Sequence, residues 1–258
     1  MNSDDNAARQ KDLLTLLRSQ RVEGILLAVA AGPAPVTQIT RLISAGIRLV
    51  CVDRIPERLA VDAVSVEDTS AAELGIGHLV AMGHRRIAIV TGPLTLKNER
   101  QRLLGYHQAL ERAGIAAEAG WIWEGNLLAG DVAAMCRERL RDPESRPDAI
   151  FATNGPTGLG VLRALCDLGL RAPDDLAMAT FDELTVDDLF RPAVTTVVQP
   201  AYEIGYRAAE ILVDRIEETG GNSEPVVVRL PATLKVRESS LLPCQARHAA
   251  GVPTGNGS

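Results

Sequence analysis

Short apolar runs alternate along this chain with longer stretches in which apolar residues recur at helical spacing. Residues 7–20 carry Leu13, Leu14, Leu16 and Leu17 on one side, which predicts an amphipathic helix. Gly24-Ile25-Leu26-Leu27-Ala28-Val29 follows without a polar break, as suits a strand buried on both faces. The alternation continues with a helix near 35–45 stopped by Gly46, strands at 48–53 and 63–66, and a helix near 69–82 closed by Gly83. Strands are expected at 86–90, 121–124, 149–152 and 176–181, separated by helices near 98–113, 130–140 and 157–168. A long helix at 201–217 and a final strand pair at 225–230 and 233–236 complete the order. Strands separated by helices of this length define βαβ units and parallel sheets, so the pattern predicts an α/β protein of two Rossmann-like lobes.

Composition narrows the reading. The 258 residues are 46% hydrophobic, ample for a sizeable core, and with aromatics at 3% that core has to be built from Ala, Val, Leu and Ile. A formal net charge of −6 is the wrong sign for tracking phosphates, so this chain by itself is a poor nucleic-acid binder. No stretch approaches the roughly 18 apolar residues of a membrane span. Met1-Asn2-Ser3-Asp4-Asp5 is polar and acidic, unlike a signal peptide, and a cytoplasmic location without membrane contact is expected. Cysteines 51, 136, 166 and 244 form no CxxC pair; Cys51 in an apolar run and Cys166 in a helical pattern read as small buried thiols, not as disulfides or metal ligands. Residues from 241 to 258 are rich in Ala, Gly and Pro and are expected to form a disordered tail.

The candidate chemistry collects at one topological position. Asp53, Thr91-Gly92, Asn154-Gly155 and Asp182 each end a predicted parallel strand, where ligands bind in open α/β sheets. Asp and Asn also cap helices, so each alone has a purely structural alternative; the four together point to a ligand cleft. Arg102 lies early in the helix after strand 86–90, and its planar fork suits sugar hydroxyls or a carboxylate. Catalytic signatures are absent: there is no GxSxG, HExxH, Walker A or GxGxxG motif. Gly155-Pro156-Thr157-Gly158-Leu159-Gly160 has the wrong glycine spacing for a dinucleotide loop and reads as a helix start. His78, His84, His107 and His248 are scattered and read as structural or surface residues, and no cofactor or metal is expected.

Several segments together resemble the LacI/GalR family of transcriptional regulators. Arg21-Val22-Glu23-Gly24-Ile25-Leu26-Leu27 is similar to its V-D-G-I-I-L strand, Gly83-His84-Arg85-Arg86-Ile87-Ala88 to its G-H-R-x-I-A turn, and Arg102-Leu103-Leu104-Gly105-Tyr106 to R-x-x-G-[FWY]. Gly169-Leu170-Arg171-Ala172-Pro173-Asp174-Asp175-Leu176, Phe181-Asp182 and Thr195-Thr196-Val197-Val198-Gln199-Pro200 continue the series in the same order, so that it covers about 7–240. The resemblance implies a periplasmic-binding-protein-like type I fold. One lobe would be 1–67 with 199–231 and the other 68–198 with 232–240, and a small sugar-like effector would be held between them. It implies ligand contacts from Arg102, Asp182, Asn154 and Asp53, from Asn98 at a Ser/Thr position, and from Leu127 where many members place a stacking aromatic. It also implies a homodimer that controls operator DNA through a helix-turn-helix headpiece. That headpiece, and the first strand-helix-strand of the first lobe, have no counterpart in this sequence. Gly155 stands where an Asp is usual. Two other readings remain open at this point: a ligand-binding remnant or carrier of the same fold without transcriptional output, and an α/β enzyme, for which no activated nucleophile is visible.

Overall fold

The computed structural model describes residues 1–31, 35–57, 59–184, 192–218 and 224–241. They fall into two units: 1–67, 95–98 and 200–231 form the first, and 68–94, 99–199 and 232 onward form the second. The expected tail beyond Leu241 lies outside the described residues.

The first unit opens with helix α1 (Ala7–Ser19), whose Asn6 cap accepts the Arg9 N–H at 3.0 Å. It continues with β1 (Gly24–Leu27), α2 (Pro35–Ser44), β2 (Arg48–Val52) and β3 (Asp62–Val66). Gln10 is the polar exception on the buried side of α1. Its amide donates to the Ala28 carbonyl at 2.9 Å and accepts from the Ala30 N–H at 3.2 Å, satisfying the backbone just past β1.

The second unit runs through α3 (Asp68–Ala81), β4 (Ile87–Thr91), α4 (Lys97–Arg112), β5 (Ile122–Glu124), α5 (Ala129–Arg139), β6 (Ala149–Ala152), α6 (Gly155–Leu168), β7 (Ala177–Phe181) and β8 (Thr195–Val198). The chain then returns to the first unit with α7 (Ala201–Glu217) and β9 (Val227–Leu230), and ends in the second with β10 (Thr233–Lys235).

The first sheet has the order β1-β2-β3-β9, parallel throughout. Period-two alternation divides its core: Leu49 and Cys51 face Leu14, Ile39 and Leu42 of α1 and α2, whereas Val50 and Val64 face Ile204 and Ala208 of α7. The second sheet has the order β10-β8-β7-β6-β4-β5, parallel except for the β10–β8 edge pair. Every residue of β4, β6 and β7 is buried, which explains their largely apolar sequences, with Thr91 and Thr180 the polar exceptions. Ala88, Val90, Ile150, Ala152 and Met178 share one cluster with Val132, Cys136, Val161 and Leu165 of α5 and α6. On α4, a Cβ at Gly105 would lie 2.2 Å from the Thr69 carbonyl, so only glycine lets α3 and α4 approach this closely.

Three expectations need correction. The segments 225–230 and 233–236 are not a strand pair: β9 adds in parallel to β3, while β10 pairs antiparallel with β8 in the other sheet. Thr195–Val198, read only as a crossover motif, is a strand whose buried threonines keep hydrogen-bond partners, Thr195 Oγ1 donating to the Arg237 carbonyl and Thr196 Oγ1 to the Val194 carbonyl, and so tolerate burial. Cys166 is exposed on α6, because it lies one position beyond the buried pair Ala164 and Leu165.

Candidate functional site

The carboxyl ends of β4, β6, β7 and β8 carry Thr91, Thr153-Asn154, Asp182 and Gln199 at one end of the second unit's sheet. Arg102 of α4 reaches this end and is 1% exposed. Its Nε donates to Asp68 Oδ1 at 2.8 Å and its Nη1 to the Thr153 carbonyl at 2.6 Å. The guanidinium carbon stands 3.6 Å above the centre of the Phe181 ring, a stacked geometry open to arginine.

Asn154 shows that a helix cap and a strand end can be one residue. Its Oδ1 accepts the Thr157 N–H at 2.9 Å, and its own N–H donates to Thr157 Oγ1 at 3.1 Å, a reciprocal capping box on α6. Its Nδ2 donates to Glu99 Oε1 at 2.9 Å. Leu127 lies against Gly92, where an added Cβ would come within 2.9 Å of the leucine and 3.1 Å of both Asn154 Nδ2 and the Glu99 carboxyl carbon. Thr91 is fully buried with its hydroxyl unpartnered by any described residue.

Asp182 follows Phe181 with φ +71°, in the left-handed region that few residues other than glycine enter and that Asp tolerates better than most. Its Oδ1 accepts from Gln199 Nε2 at 2.6 Å, and its N–H donates to the Val197 carbonyl at 2.9 Å. In the first unit, Asp53 has the same character: it follows β2 with φ +62°, is half-buried, and donates its N–H to Val64. A non-glycine residue held at positive φ at a strand end is a common mark of a binding position. Asn98 is buried in the first turn of α4 and groups with the first unit.

The structure thus gathers Arg102, Asn154, Leu127 and Asp182 at one end of one sheet. It adds four residues that were not singled out beforehand: Asp68, Glu99, Thr153 and Gln199. Asp68 and Glu99 look in sequence like ordinary acids in a helix's first turn, where the dipole favours them. Only the spacing of Glu99 to Arg102, one helical turn, hints at more.

Other candidates resolve as structure. The backbone N–H groups of Arg85 and Arg86 do hold an anion, but it is the Asp148 carboxylate of the same chain, at 3.1–3.2 Å. His78 Nε2 lies 2.7 Å from Ser240 Oγ. Among the described residues no group of His, Cys, Asp and Glu is arranged to hold a metal, and no helix is long and apolar enough to cross a membrane. Two hollows lie elsewhere and touch none of the site residues. One, of about 190 Å³, is beside Asp62 and Arg215, and the other, of about 600 Å³, is beside Trp121 and Trp123.

Residues 76–240 match the family described as the periplasmic binding protein-like domain. The chain is 31% identical over 210 residues to the HTH-type transcriptional repressor PurR of Vibrio atlanticus, covering 81% of this chain and 62% of the repressor. It is 35% identical over 226 residues to the HTH-type transcriptional regulator CelR of Thermobifida fusca, covering 86% and 65%. The chain therefore spans less than two thirds of the length of either relative. Among solved structures it is similar to a complex of the transcriptional regulator CelR with cellobiose, with TM-score 0.78 and 34% identity over 91% of this chain and 71% of that one.

Proposed function

Because this chain belongs to the LacI/GalR-type regulators through its periplasmic-binding-protein-like domain, we propose that it is the effector-sensing part of a cytoplasmic transcriptional repressor. It binds a small, neutral, hydroxyl-rich ligand at the strand ends of its second unit and passes the occupancy to a DNA-binding headpiece, working as a homodimer. The observation that carries this reading is the convergence of Arg102, Asn154, Asp182 and Gln199, all four hydrogen-bonded through ionic or amide groups, at the carboxyl ends of parallel strands. That the relatives PurR and CelR are transcriptional regulators supports sensing and not turnover as its chemistry. Since a CelR is seen with cellobiose, that sugar is the first ligand to try.

Isothermal calorimetry of the chain with cellobiose, against glucose and galactose, tests the reading. Saturable binding of cellobiose is expected, with Asp182→Ala losing about 1.5–3 kcal/mol, the range for hydrogen bonds to a charged group. Absence of binding to all three sugars, or an unchanged affinity in Asp182→Ala, would overturn it.

A further inference from the structure

Glu99 has surroundings that are unusual for a carboxylate. It is 1% exposed. Oε2 accepts from the Gly92 N–H at 2.9 Å and from Thr153 Oγ1 at 2.5 Å, and Oε1 accepts from Asn154 Nδ2 at 2.9 Å. Arg102 Nη1 stands farther off, at 3.9 Å, and makes its short bond to the Thr153 carbonyl. A buried charge is expensive unless fully hydrogen-bonded, and here neutral donors supply most of the compensation. Those donors follow β4 and β6, while Glu99 itself stands on α4, so one side chain ties three elements together at the strand ends.

The arrangement also forces a polarity. An asparagine amide has one accepting end and one donating end. The Thr157 N–H can only donate and therefore takes Oδ1; an ionised Glu99 can only accept and therefore takes Nδ2. Turning the amide over would oppose donor to donor at Thr157 and acceptor to acceptor at Glu99. The second hydrogen on Nδ2 has only a long approach, 3.4 Å, to Thr153 Oγ1. That hydrogen is what position 154 has left to donate.

We propose that Glu99 is a positioning residue for effector recognition, which locks the Asn154 amide in one orientation so that position 154 meets the ligand as an N–H donor to a ligand oxygen. The proposal rests on the reading above that the ligand sits at these strand ends.

A reciprocal exchange separates this role from a merely structural one. Glu99→Gln places an amide N–H₂ against Asn154 Nδ2, and Asn154→Asp places two carboxylates in contact. Each single variant should lower the melting temperature by about 4–8 °C, the shift that one or two lost buried hydrogen bonds give in a protein of this size. In the double variant the amide and the carboxylate have changed places: the glutamine can donate to the aspartate, and the aspartate can still cap Thr157. Most of the lost melting temperature should return. Cellobiose affinity measured by calorimetry should stay about tenfold or more below that of the unaltered chain, because position 154 no longer carries an N–H. A double variant as unstable as the two singles combined would overturn the lock, and affinity that returns with the melting temperature would overturn the ligand role. If the unaltered chain gives no heat with cellobiose, the ligand reading of the preceding subsection fails instead, and the thermal cycle still upholds or refutes the Glu99–Asn154 lock.

Discussion

A guanidinium as buried as that of Arg102 loses its hydration, and its contacts show what offsets the loss: an ionic bond to Asp68, a carbonyl bond to Thr153 and the face of Phe181. All three partners sit where α3, β6 and β7 meet the site, so the residue expected to contact the ligand also holds the site together. Arg102→Ala should therefore cost about 3–5 kcal/mol of stability, the usual consequence of removing one partner from a buried ion pair. Urea unfolding would show it, and a loss below about 1 kcal/mol would mean that Asp68 does not depend on this arginine. Arg102, Asn154 and Asp182 were legible in the sequence because each has a recognisable place relative to a strand end. Glu99 was not, since a carboxylate in a helix's first turn is normally solvated, and only the fold reveals that Gly92, Thr153 and Asn154 surround this one.

At the scale of elements, α3 shows how a helix is tied to a distant part of the chain. His78 bonds Ser240 Oγ, which also lies 2.6 Å from Thr195 Oγ1 of β8, while Ser239 Oγ donates to the Met178 carbonyl of β7 at 2.6 Å. The turn at 238–240 is thus fastened to the sheet and to α3. Burial holds His78 below the ordinary histidine value of 6.5, with His84 adding to the effect. Burial likewise lowers His84, opposed by Asp148 and the Ser240 carbonyl. Both rings are then easier to protonate in the unfolded chain. Their contribution is complete above about pH 6.5 and is lost as pH falls below it through the folded values. The melting temperature should decline between pH 7.5 and 5.5, and less steeply in His84→Asn; parallel profiles for the two proteins would count against this. The elements themselves were readable from apolar periodicity, with bounds that shifted by a residue or two. β8 escaped because Thr195–Val198 reads within its motif as a crossover, although β-branched Thr and Val favour a strand. The pairing of β9 and β10 escaped because adjacent short strands suggest a hairpin, and no local pattern shows that the chain changes sheets between them.

For the whole molecule, each unit can be judged by how its own strands are covered. In the second, β4, β6 and β7 are hydrogen-bonded on both sides and buried at every position, and α5 and α6 close one face over a continuous apolar cluster. The first has a narrower sheet with less complete cover. Among the described residues β1 is paired only to β2 and leaves Leu26 41% exposed, and β9, at the opposite edge, leaves Val227 50% exposed. Along α7, Tyr202, Tyr206 and Val213 are 87%, 54% and 50% exposed, so this helix buries one stripe and leaves a second apolar stripe in water. The composition foretold a core of small aliphatics, but not how it would be shared, because burial depends on which strands lie inside a sheet and which lie at its edges. Apolar burial of about 25 cal/mol per Å² drives folding, and local opening follows the least buried elements. Native-state hydrogen exchange should therefore show the amides of β4, β6 and β7 protected to the depth of global unfolding, with β1, β9 and α7 opening at lower free energy. Equal protection across both sheets would mean that the exposed stripe of α7 and the open edge of β1 do not weaken the first unit.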